Sequence, residues 1–115
     1  MPLLNIVTTA TLDESQAAGL QAEASRLVAE VTGKPETYMM ITLSQAGMLM
    51  GGQPGPAAYL DLRAIGGLTP DVNRRLSEKL CRLLETSLGV PANRVYITFT
   101  DLPATHWGWD GGTFA

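Results

Sequence analysis

The sequence holds one cysteine, Cys81, and one histidine, His106. A single thiol excludes an intrachain disulfide and any cysteine-built zinc site. With one imidazole beside it, the chain has too few soft ligands for a transition-metal centre. No apolar run reaches the ~18 residues of a membrane span. No basic segment followed by an apolar one opens the chain, so a secretory signal is not expected and the cytoplasm is the expected location. Charge is sparse, 17% of residues with a net charge of −3, and the Lys and Arg residues are scattered. That lack of a basic patch argues against nucleic acid as a ligand.

What is present is 45% apolar composition over 115 residues, enough for one domain, 1–115, with one core. Set against itself with a 56-residue shift, the chain matches in a single frame. Leu4 falls on Leu60, Leu20 on Leu76, Arg26 on Arg82, Leu27 on Leu83, Gly33 on Gly89, Pro35 on Pro91, Ile41 on Ile97 and Thr42 on Thr98. Leucine coincidences carry little weight, but Gly-x-Pro and Ile-Thr recurring together do. Two copies of one unit follow, about 2–45 and 58–101.

Each copy reads strand, helix, strand. The first strand begins at the chain start and includes Leu4 and Ile6 in alternation. Asp13 is placed to cap a helix with Glu14 in its first turn, and Leu20, Ala24, Leu27, Val28 and Val31 form its apolar stripe. Gly33 stops that helix, Pro35 cannot extend it, and Tyr38 to Ser44 returns as a strand. In the second copy Tyr59 to Ile65 is a strand and Gly66-Gly67 a turn. Thr69 caps a helix opening on Pro70. Leu76, Leu80, Leu83, Leu84 and Leu88 are its stripe, Gly89 its stop, and Val95 to Thr100 its strand. The Gly/Pro segment from Gly51 to Pro56 joins the copies as a loop.

A strand joined to the next through a helix implies a parallel pair. Two such units predict an α+β fold: two βαβ repeats forming a four-stranded mixed sheet, with both helices on one face. Leu4, Ile6, Met39, Ile41, Leu60, Leu62, Val95, Ile97 and Phe99 are expected to face the helices. Leu3, Asn5, Val7, Met40, Thr42, Tyr59, Asp61, Arg63, Ile65, Tyr96 and Thr98 are expected on the other side. That face is too apolar for water and too polar for a dry core, which suggests subunits meeting around a wet centre.

Pro2 follows the initiator methionine, so removal of Met1 leaves a secondary amine at the chain start. Such an amine titrates near ~7.7–8.0 when unperturbed, and burial moves it down, toward what a general base needs at neutral pH. No side chain offers this chemistry. Lys34 follows a helix stop, where a solvated role is usual, but its counterpart in the second copy is the apolar Val90. Tyr38 and Tyr96 fit ordinary strand aromatics. Trp107 and Trp109 stand two apart and would point the same way in an extended tail. Cys81 reads as a small buried hydrophobe, and His106 as an exposed loop residue.

The Pro2 start, Gly33-Lys34-Pro35, Gly51-Gly52, Ile65-Gly66, Arg94-Val95-Tyr96-Ile97 and the ending Gly108-Trp109-Asp110-Gly111-Gly112-Thr113-Phe114-Ala115 resemble the macrophage migration inhibitory factor family, over essentially the whole chain. The resemblance implies the tautomerase superfamily, whose members use an amino-terminal proline as catalytic base. It implies a homotrimer with pockets at subunit interfaces. Pro2 matches the catalytic proline, and Lys34 the lysine that faces the substrate carboxylate. Ala64 and Ile65 match the wall beside the proline. Tyr38, Tyr96, Trp109 and Phe114 match the aromatic lining, with Tyr96 coming from the neighbouring subunit.

Three departures stand out. Thr98 replaces the usual asparagine, and Trp107 a smaller residue at the pocket mouth. Ala57 and Leu60 stand where animal members carry Cys-x-x-Cys. The expected activity is keto–enol tautomerisation of aryl α-keto acids such as phenylpyruvate, or of dopachrome-like compounds, with no metal and no cofactor. The competing expectation is a cytokine-like signalling protein with a vestigial pocket, for which leaderless export is the family precedent. Thr8-Thr9-Ala10-Thr11-Leu12 and Ser44-Gln45-Ala46-Gly47 lack the arginine and the acid that animal members present to a receptor. A purely structural oligomer is a third reading.

Overall fold

Two helices of 19 residues carry the core, α1 (Glu14–Thr32) and α2 (Pro70–Leu88). Local chemistry fixes both ends of each in the computed structural model, which describes residues 2–115. At the start of α1 the Gln16 N–H donates to Asp13 Oδ1 at 2.7 Å, and the Asp13 N–H donates back to Gln16 Oε1 at 3.1 Å. That reciprocal box satisfies two donors the helix leaves open. At the start of α2 the Val72 N–H donates to Thr69 Oγ1 at 3.2 Å, and Pro70 occupies a position where no N–H is needed. Gly33 and Gly89 close the two helices at φ 72° and 68°. Only glycine reaches that left-handed geometry without a Cβ penalty.

Four strands lie beneath the helices: β1 (Leu3–Thr8), β2 (Met40–Gln45), β3 (Ala58–Ala64) and β4 (Val95–Asp101). Their order is β2-β1-β3-β4. β1 runs parallel to β2 and β3 parallel to β4, while β1 and β3 pair antiparallel at the centre with Leu3 opposite Arg63 and Thr8 opposite Ala58. The chain is therefore an α+β protein with a four-stranded mixed sheet and two helices.

The buried positions are those the alternation marks. Leu4, Ile6, Leu60 and Leu62 from the sheet meet Leu20, Ala24, Val28, Leu76, Leu80 and Leu84 from the helices. Each fully buried leucine contributes about 1.5–3 kcal/mol of transfer free energy, so these side chains hold the layers together. Met39, Ile41, Ile97 and Phe99 pack on the margin of that core. The opposite sheet face leaves Met40 (60%), Tyr59 (38%) and Tyr96 (66%) exposed.

The structure departs from the periodicity in several places. Tyr38 lies in a short 3-10 turn, Glu36–Tyr38, and not in the strand. Pro35 opens that turn, and the Met39 N–H closes it on the Glu36 carbonyl at 2.9 Å. An equivalent turn, Ala92–Arg94, precedes β4. β3 stops at Ala64, one residue short of Ile65, because Gly66 and Gly67 turn the chain at φ 73° and 85°. Cys81 is half-buried rather than buried.

The loop before β3 is held by Arg94. Its guanidinium donates to the carbonyls of Pro56 at 2.7 Å and Gln53 at 3.0 Å. The tail ends in a small hairpin of β5 (Gly108–Trp109) and β6 (Gly112–Thr113). Among the described residues no helix is long and apolar enough to cross a membrane.

Candidate active site

The start of β1 is flanked by β2 on one side and β3 on the other. The Met40 N–H donates to the Pro2 carbonyl at 3.1 Å. On the other side the antiparallel register, with Leu3 opposite Arg63, carries Pro2 toward Ala64. Pro2 is fully buried, and so is Ala64. An edge strand and a central strand thus hold the proline between them, and burial there would disfavour a charged amine on it once its nitrogen is free.

A cleft of about 340 Å³ opens beside Pro2. Leu3, Thr37, Tyr38, Met39, Met40, Trp107, Gly108, Trp109 and Phe114 complete its lining. Three of its aromatic rings form a cluster. Tyr38 meets Trp109 edge-on at 5.2 Å between centroids and Phe114 edge-on at 5.6 Å, while Trp109 and Phe114 stack at 5.5 Å. These are favourable aromatic geometries. Tyr38 and Trp109 still leave 44% and 51% of their surfaces exposed, which an apolar ligand would cover.

Lys34 reaches the same end of the sheet from the loop after α1. Its Nζ donates to the Ile65 carbonyl at 2.8 Å. The described residues include three ion pairs, Arg63–Asp61, Arg74–Asp71 and Arg82–Glu78, and Lys34 is in none of them. A half-buried ammonium with a neutral partner retains capacity for an anion.

Of the residues singled out from sequence, Pro2, Tyr38, Trp107, Trp109 and Phe114 share one cleft. Lys34, Ala64 and Ile65 do not line it: the sheet register carries Ala64 toward Pro2, and Lys34 bonds to the carbonyl of the next residue, Ile65. Tyr96 and Thr98 do not join them within one chain. Tyr96 pairs with Tyr59, and Tyr59 with Val7, five residues along β1 from Pro2. At ~3.3 Å per residue that is about 17 Å of strand. Thr98 lies on the same outer face, its hydroxyl 2.8 Å from the Tyr59 hydroxyl.

Sequence reading missed Met39, Met40, Thr37 and Leu3 as cleft walls, and it missed Asp101. The Asp101 carboxylate accepts from the Gly66 N–H at 2.7 Å and the Leu68 N–H at 3.3 Å. The Gly66-Gly67 pair was a visible signal of a turn needing an acceptor, but nothing local named the acceptor.

Other clefts offer less chemistry. One of about 190 Å³ between the β1–α1 loop and the end of β2 contains no titratable side chain. Another, of about 460 Å³, is lined by Cys81, Glu78, Arg82 and Glu85. Burial pushes the Cys81 thiol up and nearby Glu85 adds to this, while a bond to Ser77 opposes it. A thiol so placed is a poor nucleophile.

A family model described as macrophage migration inhibitory factor matches residues 1–115. The chain is 38% identical over 115 residues to the macrophage migration inhibitory factor homolog of Brugia malayi, covering 99% of each sequence. It is 36% identical over 116 residues to the macrophage migration inhibitory factor of Xenopus tropicalis, covering 100% of each. Among solved structures, the macrophage migration inhibitory factor homologue from Prochlorococcus marinus matches with a TM-score of 0.93 at 38% identity, over 98% of this chain and 99% of that one.

Proposed function

This chain belongs to the macrophage migration inhibitory factor family, and from that premise we propose that it is a cofactor-independent keto–enol tautomerase whose general base is Pro2, freed by removal of Met1. The observation that carries the reading is the buried Pro2 at the base of an aromatic cleft, with the Lys34 ammonium held one residue beyond Ala64.

The substrate class is an aryl α-keto acid such as phenylpyruvate. Its carboxylate meets Lys34, and its ring lies on Tyr38, Trp109 and Phe114, with Trp107 at the mouth. Neutral Pro2 removes a proton from the carbon next to the carbonyl, and the ammonium so formed returns a proton to the carbonyl oxygen of the enolate. One base that reloads itself suffices, so the reaction needs neither metal nor redox group. Fixed donors near the developing oxyanion lower the barrier further. Residues 1–115 act in this reading as a single cytoplasmic domain. Three copies assemble with their outer sheet faces inward, and Tyr96 and Thr98 of each complete a neighbour's pocket.

The test compares processed protein with protein that keeps Met1, both verified by intact mass. An amide nitrogen accepts no proton, so the Met1-retaining form is expected to be folded and inactive toward phenylpyruvate. Equal rates in the two forms would remove Pro2 as the base.

A further inference from the structure

The turn that joins β3 to α2, Ile65 to Leu68, holds Lys34 from two directions. Its Ile65 carbonyl accepts from Nζ at 2.8 Å. Its Gly67 lies against the lysine stem, so close that a Cβ there would stand 3.3 Å from Cε. Lys34 has a long flexible side chain and belongs to a different part of the chain, so the turn decides where its charge sits.

The turn itself has little internal support. Gly66 and Gly67 both take positive φ, 73° and 85°, and two successive glycines are the least restrained backbone a chain offers. What fixes them is Asp101 at the end of β4. One carboxylate oxygen accepts from the Gly66 N–H at 2.7 Å and the other from the Leu68 N–H at 3.3 Å. The next residue continues the clamp, the Leu102 N–H donating to the Ala64 carbonyl at 2.8 Å.

We propose that Asp101 is a positioning residue for carboxylate recognition: it fixes the Gly66–Leu68 turn, and the turn fixes the Lys34 ammonium beside Pro2. This rests on the reading of Lys34 as the substrate's carboxylate partner. Asp101 touches no substrate in this arrangement, because its oxygens already face the two amides. Its removal leaves those N–H groups to water in an exposed turn, so the fold survives while the acceptor under Lys34 loosens.

The experiment uses processed full-length protein with phenylpyruvate and its methyl ester. Lys34→Ala is expected to lower kcat/KM for the acid by about ten- to a hundredfold and far less for the ester. Asp101→Ala is expected to raise KM for the acid by about three- to tenfold, with kcat and the ester rates within about twofold of wild type. Asp101→Asn keeps one acceptor for Gly66 and is expected to show the same acid selectivity at smaller size. It carries the test if the alanine variant does not fold. Added to Lys34→Ala, Asp101→Ala is expected to cost nothing more on the acid, since both act through one ammonium.

Losses from Asp101 variants that are equal on acid and ester, or absent on both, would overturn the positioning role. If Lys34→Ala alone hits acid and ester equally, the carboxylate reading of Lys34 falls instead, so the two failures are told apart.

Discussion

Trp109 and Phe114 stack with their ring planes 11° apart across a two-residue turn, Asp110-Gly111. Both turn residues take positive φ, 50° and 79°, the geometry that lets a two-residue loop match the twist of its strands. Gly111→Val should cost about 1–2 kcal/mol locally, because a β-branched residue resists that region. The expected result is a shift in tryptophan emission and a higher KM for aryl substrates, with global melting little changed. An unchanged KM would separate this stack from ligand binding.

On the proposed role of Pro2, the rate of the processed protein is expected to rise with pH as that amine loses its proton. Desolvation penalises the ammonium, so the inflection belongs below the unperturbed ~7.7–8.0 of a chain-terminal amine. The sign follows from the chemistry: the base form is the neutral one, and activity is lost as pH falls through the amine pKa. A kcat/KM profile for phenylpyruvate, with circular dichroism confirming the fold at each pH, checks this. A rate that falls with pH over that window would assign the catalytic proton elsewhere.

Cys81 should be slow to alkylate at neutral pH. Burial raises its pKa, so the thiol stays protonated there and reactivity climbs only in more alkaline solution. The stability linked to the protonated thiol is full below the unfolded value of ~8.5 and is lost as pH rises through the folded one. Iodoacetamide labelling followed by mass measures the reactivity. With no partner thiol in the chain, insulin reduction is expected to match a Cys81→Ala control.

Assembly is expected to be trimeric. The outer sheet face leaves Met40 and Tyr96 largely and Tyr59 partly in water, and Tyr96 is too far along the sheet to serve its own Pro2. Sedimentation equilibrium at micromolar concentration should return three times the mass of one chain. A stable monomer with full activity would show that one chain suffices and that Tyr96 has no place in the pocket.

Much of the architecture was legible because its determinants are local. Asp13, Thr69, Gly33 and Gly89 act within a turn of the helix they bound, and alternation in β1 and β3 sorts their side chains by face. Tyr38 was read one element too late, since a proline-initiated 3-10 turn looks in sequence like the opening of a strand. The Asp101 clamp joins residues 35 apart, and no short-range pattern carries such a contact. The cleft was legible in its aromatic residues through resemblance alone. Its methionine wall forms only when the tail docks beside β2, and nothing in the spacing of Met39 and Met40 announces that.

The central pairing of β1 with β3 has a consequence for how the chain comes together. Its partners stand 50 to 60 residues apart, with α1 and β2 between them. A nascent chain that has made only its first βαβ unit therefore exposes one whole edge of β1, with half the core missing. Such an edge cannot persist alone, and closing it requires a long loop, which slows the search. Formation of the native state should thus be one late, cooperative event. Two fragments cut in the Gly51–Pro56 loop should each be largely unstructured, yet recover the sheet when mixed.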